Sequence, residues 1–78
     1  MYEASERILR LRFMKFVRYE LVYIGSGSPM FRLEHSRLIR MIQSMRLSGY
    51  LTRGQAAALC EAADRSLTKA TALLTPPM

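Results

Sequence analysis

The 78-residue chain has few of the residue types that hold small proteins together covalently or through metal ions. It contains one cysteine, one histidine and no tryptophan. A single cysteine, Cys60, cannot form an internal disulfide, which is typical of a protein in a reducing intracellular compartment, cytoplasmic or nuclear. One Cys and His35 also cannot supply a zinc site, or a nucleophile and base with an orienting group. We therefore expect no metal, no cofactor and no enzymatic activity.

Long apolar runs are missing as well. Arg and Lys interrupt the apolar residues up to Ile24, so neither a signal peptide nor a membrane-spanning segment is predicted. Half of the residues are nevertheless hydrophobic. A chain of this size buries roughly 60% of its unfolded surface when it folds, so we expect a single domain over residues 1–78.

Apolar residues recur at three- and four-residue steps, which predicts an all-α fold, a small helical bundle. A first amphipathic helix is expected over about 5–24, ended by Gly25 in the left-handed conformation. The apolar face of this helix consists of Leu9, Phe13, Phe16, Val17, Leu21 and Ile24. A Gly/Ser linker follows over 25–29. Because laboratory linkers have the same composition, an engineered fusion of a partner peptide, residues 1–24, to the remainder is an alternative.

A second helix is expected over about 36–47. Two starts are consistent with the sequence: a cap at Ser36, or a cap at Ser28 with Pro29 in the first helical position. The second helix ends before Gly49, which acts as a helix breaker.

Two short helices are predicted in the remainder of the chain. Thr52 followed by Gln55 is a capping box, which starts a helix over 53–63. Asp64 or Ser66 then caps a last helix, which Pro76 stops. The predicted core is Leu38, Ile42, Met45, Ala56, Leu59, Cys60, Leu67, Ala70 and Leu74.

The second half of the chain also carries a recognisable pattern. The pattern begins with Gly49-Tyr50 and continues without gaps through the Thr52 cap and an early Ala56 to a later series of apolar residues. That series is Cys60, Leu67, Ala70, Leu73 and Leu74. Over about residues 36–75 this pattern resembles a ubiquitin-associated (UBA) domain. The resemblance implies a UBA-like three-helix core, to which the first helix predicted above is an additional N-terminal helix. It also implies an apolar partner-binding patch made of Ser48, Gly49, Tyr50, Leu73 and Leu74.

Positive charge is concentrated in the first half of the chain. The net charge is +6, and residues 1–46 hold nine Lys and Arg against four Glu. A basic surface is predicted from Arg10, Lys15, Arg18, Arg37 and Arg40. Guanidinium groups suit phosphates and carboxylates, so this surface could contact nucleic-acid phosphates or an acidic protein.

These observations favour a non-catalytic protein-interaction module that binds ubiquitin, a ubiquitin-like protein or a helical peptide. Alternatives are a basic module on nucleic acid and the peptide fusion described above. Self-association into a homo-oligomer stays open, whereas a membrane partner is disfavoured because the first helix has an apolar partner in the rest of the chain.

Overall fold

Three helices make up the fold. The computed structural model describes residues 2–74, with side chains from residue 7 onward. The helices are α1 (Tyr2–Gly25), α2 (Phe31–Leu47) and α3 (Arg53–Leu74), and no strand occurs in this part of the chain. The all-α prediction and the helical bundle are confirmed.

Short turns order the helices up, down and up. The start of α3 lies beside Arg10, while Gly25 at the end of α1 faces Ser66 in the second half of α3. The helices α1 and α3 are therefore parallel, and α2 runs antiparallel to both. Each helix packs against the other two.

The core runs along the length of the bundle. Val17, Ile24, Ile42 and Ala63 have no exposed surface. The buried set is Phe13, Val17, Ile24, Phe31, Leu38, Ile42, Leu51, Ala56, Ala63 and Ala70. Of the core predicted from sequence, Leu38, Ile42, Ala56 and Ala70 are fully buried. Met45, Leu59, Cys60 and Leu67 are partly buried, and Leu74 is exposed.

Small side chains set how closely α3 approaches its neighbours. Ala56, Ala63 and Ala70 recur every seven residues and are at most 2% exposed. Two turns of helix separate successive members, so the three methyl groups form one stripe facing the other helices. A stripe of alanines allows helix axes to approach near the lower end of the usual spacing.

The helix α1 is a full member of this bundle. It contributes Phe13, Val17 and Ile24 to the core, and Leu21 packs against it half-buried. The sequence predicts an additional N-terminal helix packed on a three-helix core, whereas residues 2–74 form three helices in all and α1 is one of them. Residues 36–74 contain parts of two helices, and α1 is the third helix of the bundle.

The expected break between two short helices at Asp64–Ser66 is wrong. No glycine or proline lies between Gly54 and the end of α3, and Ala63 and Ala70 continue one buried stripe through the region. The side chains that could have capped a new helix are used differently. Asp64 reaches across to His35 at 2.8 Å, and Ser66 packs beside Gly25. The predicted stop at Pro76 lies outside the described residues.

The turn between α1 and α2 differs from the prediction in its glycine. Gly25 is buried and helical, whereas Gly27 adopts the left-handed φ of 77°. The turn is closed by a bond from Gly27 N to Ile24 O and by Ser26 Oγ donating to Tyr23 O. The 25–29 segment is thus a short structured turn between packed helices.

The start of α2 falls near the earlier of the two predicted positions. The helix begins at Phe31, after Ser28-Pro29, and Met30 at its N-cap makes no side-chain capping bond. Phe31 is 3% exposed, and its burial holds this first turn against the core. Packing therefore replaces the polar cap that the sequence suggested.

The capping box at the start of α3 is confirmed. Gln55 N donates to Thr52 Oγ1 at 3.0 Å, and Thr52 N donates to Gln55 Oε1 at 2.9 Å. Two amides that the helix leaves without partners are satisfied reciprocally.

Candidate functional site

The residues of the predicted partner-binding patch lie at opposite ends of α3. Ser48, Gly49 and Tyr50 form the turn before it, while Leu73 and Leu74 end it. A helix of this length separates the two groups by about 30 Å at 1.5 Å per residue. The prediction of one continuous patch is wrong, because it required the fold-back that the uninterrupted α3 does not make.

The α2–α3 turn itself is tightly bonded. Ser48 Oγ donates to Ser44 O at 2.9 Å, and Tyr50 N donates to Met45 O at 3.0 Å. Gly49 has a φ of 84°, with nothing within 4 Å of the position a Cβ would take. Tyr50 is half-buried and shares a cavity with Arg10 of α1.

The other two patch residues lie by the α1–α2 turn. Leu73 and Leu74 are 62% and 58% exposed, and a Cβ at Gly27 would lie 3.9 Å from Leu73 Cδ1. This end of the bundle therefore keeps its own small apolar surface, independent of Tyr50.

The predicted basic residues are all exposed, but they do not form one surface. Arg10 of α1 lines the cavities between α1 and the start of α3. Arg37 lies in the groove between α1 and α2, with its Nη1 3.8 Å from Glu34 Oε1. Lys15 and Arg18 are about 60° apart on a third side of α1, as 3.6 residues per turn requires. No continuous phosphate-tracking groove results from this distribution.

The most extensive candidate surface is one that the sequence analysis did not single out. Seven large apolar side chains on α1 are 39% to 74% exposed, although the helix packs against both neighbours. We call this set the outer surface of α1; it consists of Ile8, Leu9, Leu11, Phe16, Tyr19, Val22 and Tyr23. The predicted apolar face thus divides, with Leu9 and Phe16 outside and Phe13, Val17 and Ile24 inside. The signal was available: α1 carries more apolar residues than one buried face can hold.

Two tyrosines give this surface local order. The rings of Tyr19 and Tyr23 are stacked, with centroids 6.4 Å apart and planes 12° apart. Their positions four residues apart place them on one side of the helix. Tyrosine presents a large rigid contact area with a polar tip, a combination enriched in protein interfaces.

A cavity of about 220 Å³ adjoins the outer surface between α1 and α2. Two carboxylates, Glu20 and Glu34, line it together with Phe16, Arg37 and Met41. Burial raises the pKa of Glu20, the neighbouring Glu34 carboxyl raises it further, and Arg37 acts in the opposite direction. The surroundings of Glu20 therefore disfavour its ionised form relative to its protonated form.

The cysteine and histidine occupy separate structural settings. Cys60 is half-buried, and burial followed by the charge of Asp64 raises the pKa of its thiol. The Gln43 amide is 3.9 Å from its Sγ. His35 Nε2 lies 2.8 Å from Asp64 Oδ1 and links α2 to α3. A raised thiol pKa disfavours the nucleophilic thiolate. Among the side chains of residues 7–74, no three His, Cys, Asp or Glu gather as metal ligands would.

Comparison with known proteins adds no assignment: no family model, curated protein or solved structure matches the chain significantly. Within residues 2–74, none of the helices combines the length and apolar character needed to cross a membrane.

Proposed function

We propose that this chain is a non-catalytic protein-interaction module that binds a helical, acidic segment of a protein partner along the outer surface of α1. The single observation that carries the proposal is the exposure of seven large apolar side chains on one packed helix. Exposed apolar side chains rimmed by polar or charged residues are a feature of protein–protein interaction sites.

Charge argues for the kind of partner. Arg7, Arg12, Lys15 and Arg18 are interleaved with the apolar residues of α1, and Glu20 is the one acidic side chain in residues 7–25. A partner helix with apolar residues on one face and carboxylates beside them complements both properties. Association with it should be faster at low ionic strength.

Photo-crosslinking in cells tests the proposal directly. A benzophenone amino acid replaces Tyr19, which is 68% exposed on the outer surface, and in a matched control it replaces exposed Arg65 on α3. We expect a protein that crosslinks from position 19 and not from position 65. That protein, once purified, should bind the full chain, and Tyr19→Ser with Val22→Ser should weaken binding at least tenfold.

Other outcomes would contradict the proposal. One is the absence of any protein selective for position 19; another is a crosslinked protein that does not bind the purified chain. A third is binding only to vesicles of anionic lipid, which would make α1 a membrane-surface helix. Both substitutions are on exposed side chains, so thermal melting should stay unchanged and separate lost binding from lost folding.

The ubiquitin hypothesis receives its own test, because the patch it rests on is divided between two ends of the bundle. Titration of labelled chain with ubiquitin to millimolar concentration should leave the amides of Gly49, Tyr50 and Leu74 unshifted. Shifts at both ends of α3 would restore ubiquitin as the partner. Binding to a DNA or RNA duplex that weakens steeply between about 50 and 200 mM salt would instead support the nucleic-acid alternative.

A further inference from the structure

A second concave region lies on the opposite flank of α1, between α1 and the start of α3. It is a cavity of about 310 Å³, and its lining is apolar apart from Arg10 and Gln55. The lining residues are Arg10, Met14, Leu51, Gln55, Ala58 and Leu59. Ligand cavities span roughly 300 to 1,000 Å³, so this one has room for an apolar side chain rather than for a large cofactor.

Arg10 connects this cavity to a second one. The neighbouring cavity, of about 190 Å³, is lined by Arg10, Ser48, Gly49 and Tyr50. The ion pairs found in residues 7–74 join His35 to Asp64 and Arg37 to Glu34, and neither includes Arg10. An exposed guanidinium therefore lies between an apolar cavity and a polar one.

We propose that this pair of cavities binds a peptide segment in which a large apolar residue lies next to a carboxylate. The apolar side chain enters the cavity lined by Met14, Leu51 and Leu59, and Arg10 binds the carboxylate, which its planar fork accepts in a bidentate manner. This site is separate from the outer surface of α1, because it lies on the flank of α1 that faces α3. It can therefore fail or succeed independently of the outer surface.

Minimal probes can test the chemistry without a known partner. N-acetyl-L-leucine and N-acetyl-L-phenylalanine carry an apolar side chain beside a carboxylate, and their amides lack the charge. Each is titrated into the full chain while the methyl NMR signals of Met14, Leu51 and Leu59 are followed. We expect saturating shifts at these methyl groups in the millimolar range, with the carboxylates binding about fivefold more tightly than the amides, as for a partly exposed ion pair.

A matched pair of variants isolates the role of Arg10. Arg10→Gln should abolish the difference between carboxylate and amide while leaving amide binding intact. Lys15→Gln removes the same charge from the same helix outside the cavity and should retain the difference. Melting curves of both variants establish that they are folded.

The proposal is overturned by any of five results. The methyl signals do not move at about 50 mM probe, or the shifts centre on Leu38 and Met41, which line the 220 Å³ cavity between α1 and α2. Carboxylates and amides bind equally, or the two variants behave alike. Decanoate that binds more tightly than both amino-acid probes would replace the peptide with a fatty acid as the occupant.

Discussion

Ile24 offers the sharpest test of whether α1 belongs to the bundle or is a peptide held against it. The side chain is fully buried, and Ile→Ala at such a site costs about 2 to 5 kcal/mol. At 0.05 to 0.15 kcal/mol per residue, 78 residues imply a total free energy of unfolding of about 4 to 12 kcal/mol. Ile24→Ala, at about 3 kcal/mol, should therefore remove a quarter or more of the stability.

The melting temperature gives a first measure of this loss. A domain of this size loses about 4 to 8 °C per kcal/mol, so we expect a decrease of about 12 to 24 °C. Val22→Ala is the control on the same helix, because Val22 is 74% exposed. Its change in unfolding free energy should stay within about 0.5 kcal/mol.

Amide hydrogen exchange at Ala63 of α3 decides between the two descriptions. If α1 and α3 unfold as one unit, Ile24→Ala should reduce protection at Ala63 about 100-fold, since 1.4 kcal/mol is a factor of ten. Unchanged protection at Ala63 with loss of helix signal from α1 would refute the reasoning. That result would favour a separable N-terminal peptide, as in the fusion alternative.

Further predictions concern one charge and two backbone features. Glu20→Gln should stabilise the chain at pH 7 by a few tenths to about 1 kcal/mol. The pKa of Glu20 is raised above its ordinary 4.5, so the folded state binds that proton more tightly than the unfolded state does. The free energy of unfolding should therefore fall as pH rises through the raised pKa. Urea titrations that show the same pH slope in the variant would contradict this. Thr52→Ala should cost about 1 kcal/mol, and a double-mutant cycle with Gln55→Ala should reveal coupling, whereas strict additivity would count against the reciprocal cap. Gly27→Ala should destabilise by about 1 to 2 kcal/mol because of its left-handed φ. Gly25 is helical, and a Cβ there would be in ordinary van der Waals contact 3.7 Å from Lys69 Cδ, so Gly25→Ala should raise the melting temperature slightly. Equal effects of the two substitutions would be inconsistent with the turn.

Local signals in the sequence predicted the local structure well. The Thr52–Gln55 capping box has the expected bonds, because both partners lie within four residues. The end of α2 near Gly49 also agrees with the structure. In each case the interacting residues are close together in the sequence, so residue types and their spacing are sufficient to predict the interaction.

The features that depend on tertiary packing were not predictable in the same way. Asp64 and Ser66 are good capping residues, but the energy of continuing the buried face from Ala63 to Ala70 outweighs the cap. The separation of Tyr50 from Leu73 follows from that continuity. A pattern match over residues 36–75 could not register it, because the match compares residue types and not the packing that continues α3 through Asp64.

The alanine stripe of α3 has a consequence for finding relatives of this chain. Only glycine is smaller than alanine, so substitution at Ala56, Ala63 and Ala70 can almost only add volume, and added volume in a packed core is destabilising. A protein with the same helix spacing should therefore keep Ala, Gly or Ser at three positions seven apart, behind a Thr-x-x-Gln start. Such a sparse signature can persist after overall sequence similarity has been lost, and it gives a specific pattern with which to search.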